Sequence, residues 1–194
     1  MLTPDMKRIL LIDNYDSFTY NLAHLIEKII HHKVDVVLND RIDFEAIGQY
    51  QGIVLSPGPG IPEEAGLLLP LIQTFAPLKK MLGVCLGHQA IAQVFGCALK
   101  NLDKVYHGVQ TDINIYDKSG LFKGLDNTER VGRYHSWVVD TDKLPDQLKV
   151  TATDSVGNVM AFKHSQYDVE GAQFHPESIM TPCGEKMMSN WLLG

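Results

Sequence analysis

Met81-Leu82-Gly83-Val84-Cys85-Leu86-Gly87-His88-Gln89 is the stretch on which the reading of this chain turns. A short apolar run over 81–84 is followed by Leu86, Ala90, Ile91, Val94 and Phe95 at roughly helical spacing, so the pattern predicts a strand, a sharp turn and a helix. Cys85 sits in the turn, with glycines two positions before and after it. This is the form of a nucleophile elbow, with sulfur where a hydrolase would carry a serine oxygen. The glycines permit a strained backbone and close approach of neighbouring strands, the side chain is expected to be lifted out of the fold and exposed, and the helix N-terminus favours thiolate over thiol. A cysteine packed at a strand end as a small apolar residue has the same local pattern, so the elbow alone leaves both readings open.

Upstream, Ile9-Leu10-Leu11-Ile12 reads as a buried strand closed by Asp13 and the polar turn 14–17, in which Ser17 is placed to cap the next element. Leu22, Leu25, Ile26, Ile29 and Ile30 form the apolar face of an amphipathic helix. A second strand over 34–38, a short helical piece over 44–47, a third strand over 52–55 and a helix over 66–75 that tolerates Pro70 complete the first half. Alternation of this kind is the signature of a parallel sheet with covering helices. After the third strand comes Ser56-Pro57-Gly58-Pro59-Gly60, which is either a rigid turn or a loop presenting bare backbone N–H groups. This loop and the Cys85 elbow are expected at the carboxyl ends of neighbouring parallel strands, where open α/β sheets bind ligands.

Beyond Phe95 the pattern changes to short segments, over 109–116, 131–134, 138–139, 148–153, 159–163 and 169–174, separated by Gly, Asp and Asn turns. They predict antiparallel strands that extend or flank the sheet, and a last helix follows over 185–193. The fold class is thus α/β, an open, mostly parallel sheet flanked by helices with additional antiparallel strands. A chain of 194 residues, 45% hydrophobic and 21% charged with no compositional break, predicts one domain over 1–194. A formal charge of -6 argues against nucleic acid or an anionic membrane surface as the main partner. Cys85, Cys97 and Cys183 show no paired spacing, so neither a disulfide framework nor a metal site is indicated, which suits a reducing cytoplasm. Lys7 and Arg8 precede only four apolar residues, too few for a signal peptide, and no apolar run is long enough to span a membrane.

A thiolate nucleophile needs a base that takes a proton and later returns one, and that base needs a partner to hold its ring. His175 and Glu177, at the end of an apolar strand with Pro176 between them, are the candidates. His24, His31, His32 and His164 lie in or beside elements without such an arrangement and are expected to be solvated or structural. His107 and His135 stay open, each beside a Gly or Ser in a loop.

Taken together, Gly-Val-Cys-Leu-Gly-His-Gln at 83–89, Ser-Pro-Gly-Pro-Gly at 56–60 and Gln-Phe-His-Pro-Glu-Ser at 173–178 resemble, in order and spacing, the triad-type (class I) glutamine amidotransferases over nearly the whole chain. The opening at 11–22, Leu-Ile-Asp-Asn-Tyr-Asp-Ser-Phe-Thr-Tyr-Asn-Leu, together with Arg133-Tyr134-His135-Ser136, is similar to the glutaminase subunits of anthranilate synthase and aminodeoxychorismate synthase. The resemblance implies that Cys85 attacks the glutamine side-chain amide, that His175 is base and acid, and that Glu177 orients it. It implies an oxyanion hole from the N–H groups of Leu86 and Gly58, with Gly58, Pro59, Gly60, Gln89, Ser136 and Trp137 around the substrate. The implied reaction converts L-glutamine to glutamate and ammonia through a Cys thioester, with no cofactor and no metal. Ammonia would pass to a chorismate-binding synthase subunit (component I), in a heterodimer or heterotetramer, to make anthranilate for tryptophan or, alternatively, 4-amino-4-deoxychorismate for folate. A stand-alone γ-glutamyl hydrolase is a further alternative. Two positions depart from the family's usual pattern: Val109, where Lys is common after His-Gly, and Trp137, where Leu is usual.

Overall fold

The structure, a computed structural model, describes residues 8–194, so Lys7 lies outside the described residues. The parallel half is built from β1 (Ile9–Asp13), β2 (Asp35–Leu38), β3 (Gly52–Leu55) and β4 (Lys80–Val84), with α1 (Thr19–Ile30) and α2 (Leu68–Phe75) as crossovers and α3 (Leu86–Val94) following β4. The remainder comprises β5 (Leu99–Asn101), β6 (Val109–Ile115), β7 (Thr128–Arg133), β8 (Trp137–Val139), β9 (Leu148–Asp154), β10 (Val159–His164), β11 (Val169–Ala172) and α4 (Gly184–Leu193). Among the described residues the main sheet runs β2-β1-β3-β4-β11-β10-β9-β6-β7, and β5 and β8 form a separate ribbon. The first five strands in that order are parallel and the rest antiparallel.

Side-chain alternation along the central strands feeds two cores. Leu11, Val54 and Leu82 meet α1 and α4 through Leu22, Ile26 and Trp191 on one face. Leu10, Ile12, Ile53 and Leu55 meet α2 and α3 through Leu68, Leu71, Ile72 and Ile91 on the other. Strands buried on both sides are why β1, β3 and β4 read as unbroken apolar runs rather than alternating ones.

Several expectations are corrected. Ser17 does not cap α1: Phe18 occupies the capping position without a side-chain bond, and the turn is organised by carboxylates instead. Asp13 Oδ1 accepts from Tyr15 N, Asp16 N and Thr19 Oγ1, while Asp16 Oδ1 accepts from Phe18 N. A charged acceptor makes the stronger bonds. The helical piece at 44–47 is a 3₁₀ turn, Ala46–Gln49. Pro70 falls in the first turn of α2, where its missing N–H would have no helical partner anyway. The largest correction concerns β11, which is not wholly antiparallel: it lies parallel to β4 on one side and antiparallel to β10 on the other.

That insertion brings the end of β11 beside the Cys85 turn. Val84 pairs with Ala172, and Cys85 N donates to Ala172 O at 2.8 Å. The glycines flanking Cys85 are required by contact. A Cβ on Gly83 would lie 2.4 Å from the Gly87 backbone, and one on Gly87 would lie 2.6 Å from Leu55 Cβ and O. Because the obstacle at Gly83 is backbone, Gly83→Ala is expected to destabilise the fold by about 3 kcal/mol, the upper end for overpacking. Urea unfolding measures this; a midpoint equal to wild type would show that the strand and helix do not touch there.

Candidate active site

Cys85 has φ 52° and ψ -100°, a left-handed conformation that few non-glycine residues adopt and that costs on the order of 1–3 kcal/mol. It immediately precedes α3, so the sulfur lies at the positive end of that helix. One expectation fails here. Cys85 is not exposed but only 5% accessible, because the 58–60 loop, Gln89 and the 134–137 segment wall it in. The result is a cavity of about 180 Å³ lined by Gly58, Pro59, Gly60, Cys85, Gln89, Tyr134, His135, Ser136 and Trp137. Two larger clefts, of about 500 and 540 Å³, open at the amino ends of the parallel strands, lined by Lys80, Asp168 and Trp191. They are remote from this cluster.

His175 and Glu177 come from the turn after β11. His175 N donates to Gly132 O, and Thr181 Oγ1 donates to His175 O at 2.6 Å while accepting from Gly132 N. The ring is packed between Phe18 and Tyr134, whose centroids lie 5.4 and 4.8 Å away. Its Nδ1 is bonded to Glu177 Oε1 at 2.7 Å, and both side chains are buried. Burial alone would push the imidazole's affinity for a proton down, but the Cys85 sulfur and the Glu177 carboxylate outweigh it and raise His175 to about 10. Nε2 has no hydrogen bond of regular geometry among the described residues. The imidazolium, with Glu177 holding the ring, is therefore the favoured state of His175.

The 56–60 loop is pinned from behind by residues to which the sequence reading assigned no role. Asn14 N donates to Ser56 Oγ, Asn14 Nδ2 donates to Ser56 O, and Asn39 Nδ2 donates to Asn14 Oδ1. Gly58 is held so closely that a Cβ there would lie 2.5 Å from Leu86 Cδ2 and 2.6 Å from Asn14 Cβ. The amides of Gly58 and Leu86 have no acceptor among the described residues. Opposite them, Gln89 Nε2 donates to Trp137 O at 2.9 Å and to Gln173 Oε1 at 3.1 Å. The Trp137 contact uses its carbonyl, so replacing the family's usual Leu leaves it intact. Val109 opens β6 paired with Arg133 rather than lining the cavity.

Of the two histidines left open, His135 joins the site and His107 stays exposed, edge-on to the Tyr134 ring. His135 Nε2 accepts from Arg133 Nε at 3.1 Å, so its proton is on Nδ1, 3.0 Å from Trp137 O. Burial, and then the Arg133 charge, push His135 down to about 3 and keep it neutral. His164 is structural, its Nδ1 accepting from Gln166 N and Tyr167 N. Gln173, quoted in the sequence only as part of a motif, is fully buried and bonded toward the sulfur. No spacing rule signals such a contact.

An elbow cysteine, a His–Glu pair and two free backbone donors at the carboxyl edge of a parallel sheet form an arrangement suited to acyl transfer. The glutamine amidotransferase class-I family model matches residues 10–194, and the chain belongs to that family. It is 46% identical over 187 residues to aminodeoxychorismate synthase component 2 of Escherichia coli, covering 95% of this chain and 98% of that one. Anthranilate synthase component 2 of Pseudomonas aeruginosa is 45% identical over 191 residues, with coverage of 95% and 94%. Aminodeoxychorismate/anthranilate synthase component 2 of Bacillus subtilis is 44% identical, with 95% of each chain covered. Among solved structures, a glutamine amidotransferase of Thermotoga maritima superposes with a TM-score of 0.75 at 19% identity, over 97% of this chain and 81% of that one, and shares the fold. Among the described residues no helix is long and apolar enough to cross a membrane.

The charge state makes a pH prediction. The wild-type His175 ring is expected to keep its proton until about pH 10. In Cys85→Ala the first of the raising influences is gone while burial remains, so the ring should release its proton at clearly lower pH. Imidazole NMR resonances followed across pH report both; identical titrations would show that the sulfur does not act on the ring.

Proposed function

We propose that this chain is the glutaminase subunit of a chorismate-utilising synthase, releasing ammonia from L-glutamine for a partner subunit (component I) that makes anthranilate. The observation that supports it most is the placing of the His175–Glu177 pair beside Cys85, which lines one small cavity with Gly58, together with the free amides of Gly58 and Leu86. The Cys85 thiolate attacks the substrate's side-chain carbonyl carbon, and the C=O electron pair moves onto oxygen. The Gly58 and Leu86 N–H groups meet that oxyanion. His175 gives its proton to the departing nitrogen, ammonia leaves, and a thioester remains. The neutral ring then takes a proton from water, whose oxygen displaces sulfur to yield glutamate. Glu177 keeps Nδ1–H in place throughout, so that Nε2 faces the reaction. Gln89 has used both N–H groups on Trp137 and Gln173, which leaves its Oε1 as the acceptor for the substrate's ammonium. Pro59, Gly60 and the Ser136-Trp137 backbone enclose the rest of glutamine.

The partner decides the product, since this site handles only glutamine. Relatives of nearly equal identity carry the anthranilate name, the aminodeoxychorismate name, or both. That supports 4-amino-4-deoxychorismate as a second product, from the same glutaminase with a different partner.

Mixing the chain with each candidate synthase subunit, chorismate and glutamine, and identifying the aromatic product, tests the reading. Glutaminase activity is expected to be weak alone and to rise sharply with the right partner. High activity that no synthase subunit changes would instead mark a stand-alone hydrolase. Cys85→Ser should abolish synthesis from glutamine while synthesis from ammonium salts persists. Gly58→Ala, which displaces one oxyanion donor, is expected to lower kcat by about 10²- to 10³-fold; wild-type turnover in that variant would remove the 58–60 loop from the mechanism.

A further inference from the structure

The sulfur has a neighbour that this mechanism does not use. Gln173 Nε2 lies 3.6 Å from Cys85 Sγ, the only hydrogen bond reaching that sulfur among the described residues. Gln173 is fully buried and follows Ala172, the residue paired with Val84, so the strand register itself sets it beside Cys85. An amide can present either its NH₂ or its oxygen, and the hydrogen-bond chain decides which. The Trp137 carbonyl only accepts, so Gln89 must turn its nitrogen toward it. The second N–H of Gln89 then points at Gln173, which must answer with Oε1. Gln173 is left with its NH₂ facing the sulfur.

We infer that Gln173 is a further catalytic residue, whose side-chain N–H, aimed by Gln89 and the Trp137 carbonyl, stabilises the Cys85 thiolate before attack and again as sulfur leaves the thioester. The inference rests on Cys85 being the nucleophile. An N–H donor favours the anion over the neutral thiol, because a bond to a charged acceptor is roughly twice as strong as one between neutral groups. During thioester hydrolysis the C–S bond breaks and its electron pair returns to sulfur, so the same donor eases departure.

Titratable groups stand on the elements packed around the sulfur. His175, backed by Glu177, comes from the turn after β11, Tyr134 and His135 from the segment before β8, with Arg133 behind His135, and His88 from α3. Glu63 and Glu64 follow the 56–60 loop. Burial pushes both His88 and His135 down to about 3, so neither changes charge near neutral pH. His175 is the group whose charge is linked to the sulfur.

The test is the pH dependence of Cys85 alkylation by iodoacetamide in wild type, Gln173→Leu and Gln173→Glu, with peptide mass spectrometry separating Cys85 from Cys97 and Cys183. In Gln173→Leu the midpoint is expected to move up by about one pH unit, equivalent to roughly tenfold slower alkylation below it. In Gln173→Glu, which sets a carboxylate against the sulfur, it should move further. Midpoints unchanged in both variants overturn the inference. Should the variants not fold, the side-chain amide resonance of Gln173 in ¹⁵N-labelled wild type serves instead: it should follow the same midpoint and jump when Cys85 is alkylated, and a resonance indifferent to both overturns the inference. Neither readout uses glutamine or a partner. A chain without glutaminase activity would therefore still report on Gln173, and failure here would leave the proposed function standing.

Discussion

The pairing of β4 with β11 is the constraint on which the rest of the structure depends. Cys85 and Gln173 are 88 positions apart, and neither local sequence nor helix packing would bring them together. Parallel pairing of Val84 with Ala172 does so, and the hydrogen bond from Cys85 N to Ala172 O locks the two chain ends at the point where both leave the sheet. A slip of one residue would turn every following side chain to the other face. His175, three residues beyond Ala172, would then leave the sulfur. The register is held because both strands are buried on both sides, with Met81, Leu82, Val169 and Ala172 in the two cores.

The second constraint is steric. Cys85 keeps its unfavourable backbone angles because there is little room to relax: Gly83 touches Gly87, Gly87 touches Leu55, and Gly58 touches Leu86 and Asn14. Three strand ends and one helix start are packed backbone to backbone, with glycine wherever a Cβ would intrude. Strain of this kind persists only where the surroundings over-determine it. The polar clamp of Asn14, Ser56 and Asn39 fixes the third wall, and with it the position of the Gly58 N–H.

Periodicity carries the parallel half of the fold in the sequence. The apolar runs of β1, β3 and β4, the helical spacing of α1 and the glycines about Cys85 are local signals, and each appears where its pattern lies. The Cys85, His175 and Glu177 cluster is likewise legible, through the joint spacing of three motifs. What is not legible depends on contacts distant in sequence. The placement of β11 between β4 and β10 is a matter of topology, and a four-residue strand carries no mark of its neighbours. The low exposure of Cys85 comes from the 134–137 segment folding over it. The roles of Asn14 and Gln173 are fixed by side-chain geometry, and the turn before α1 is organised by Asp13 and Asp16 with Phe18, not Ser17, at the capping position. β5, three residues long, is recognisable only through its pairing with β8.

Arg133 and Asp154 show how far the organisation of the site reaches. Both are buried, 2.9 Å apart, and a buried ion pair by itself is weak evidence of stabilisation, because desolvation offsets much of the attraction. Here the carboxylate is over-satisfied: Asn158 donates to it from both backbone and side chain, and Val156 N donates as well. Burial opposes the Asp154 charge, but those bonds together with Arg133 outweigh it and hold its proton affinity below the usual carboxylate range. The guanidinium, stacked 3.6 Å over Tyr106, is thus fixed in place, and its Nε–H can only donate. That forces His135 to accept on Nε2 and to carry its proton on Nδ1, facing the Trp137 carbonyl. The carbonyl therefore receives donors from His135 on one side and Gln89 on the other, and neither amide nor imidazole can reverse without leaving two like groups opposed. A cation in the antiparallel wing in this way fixes the tautomer of the histidine that shares the Trp137 carbonyl with Gln89.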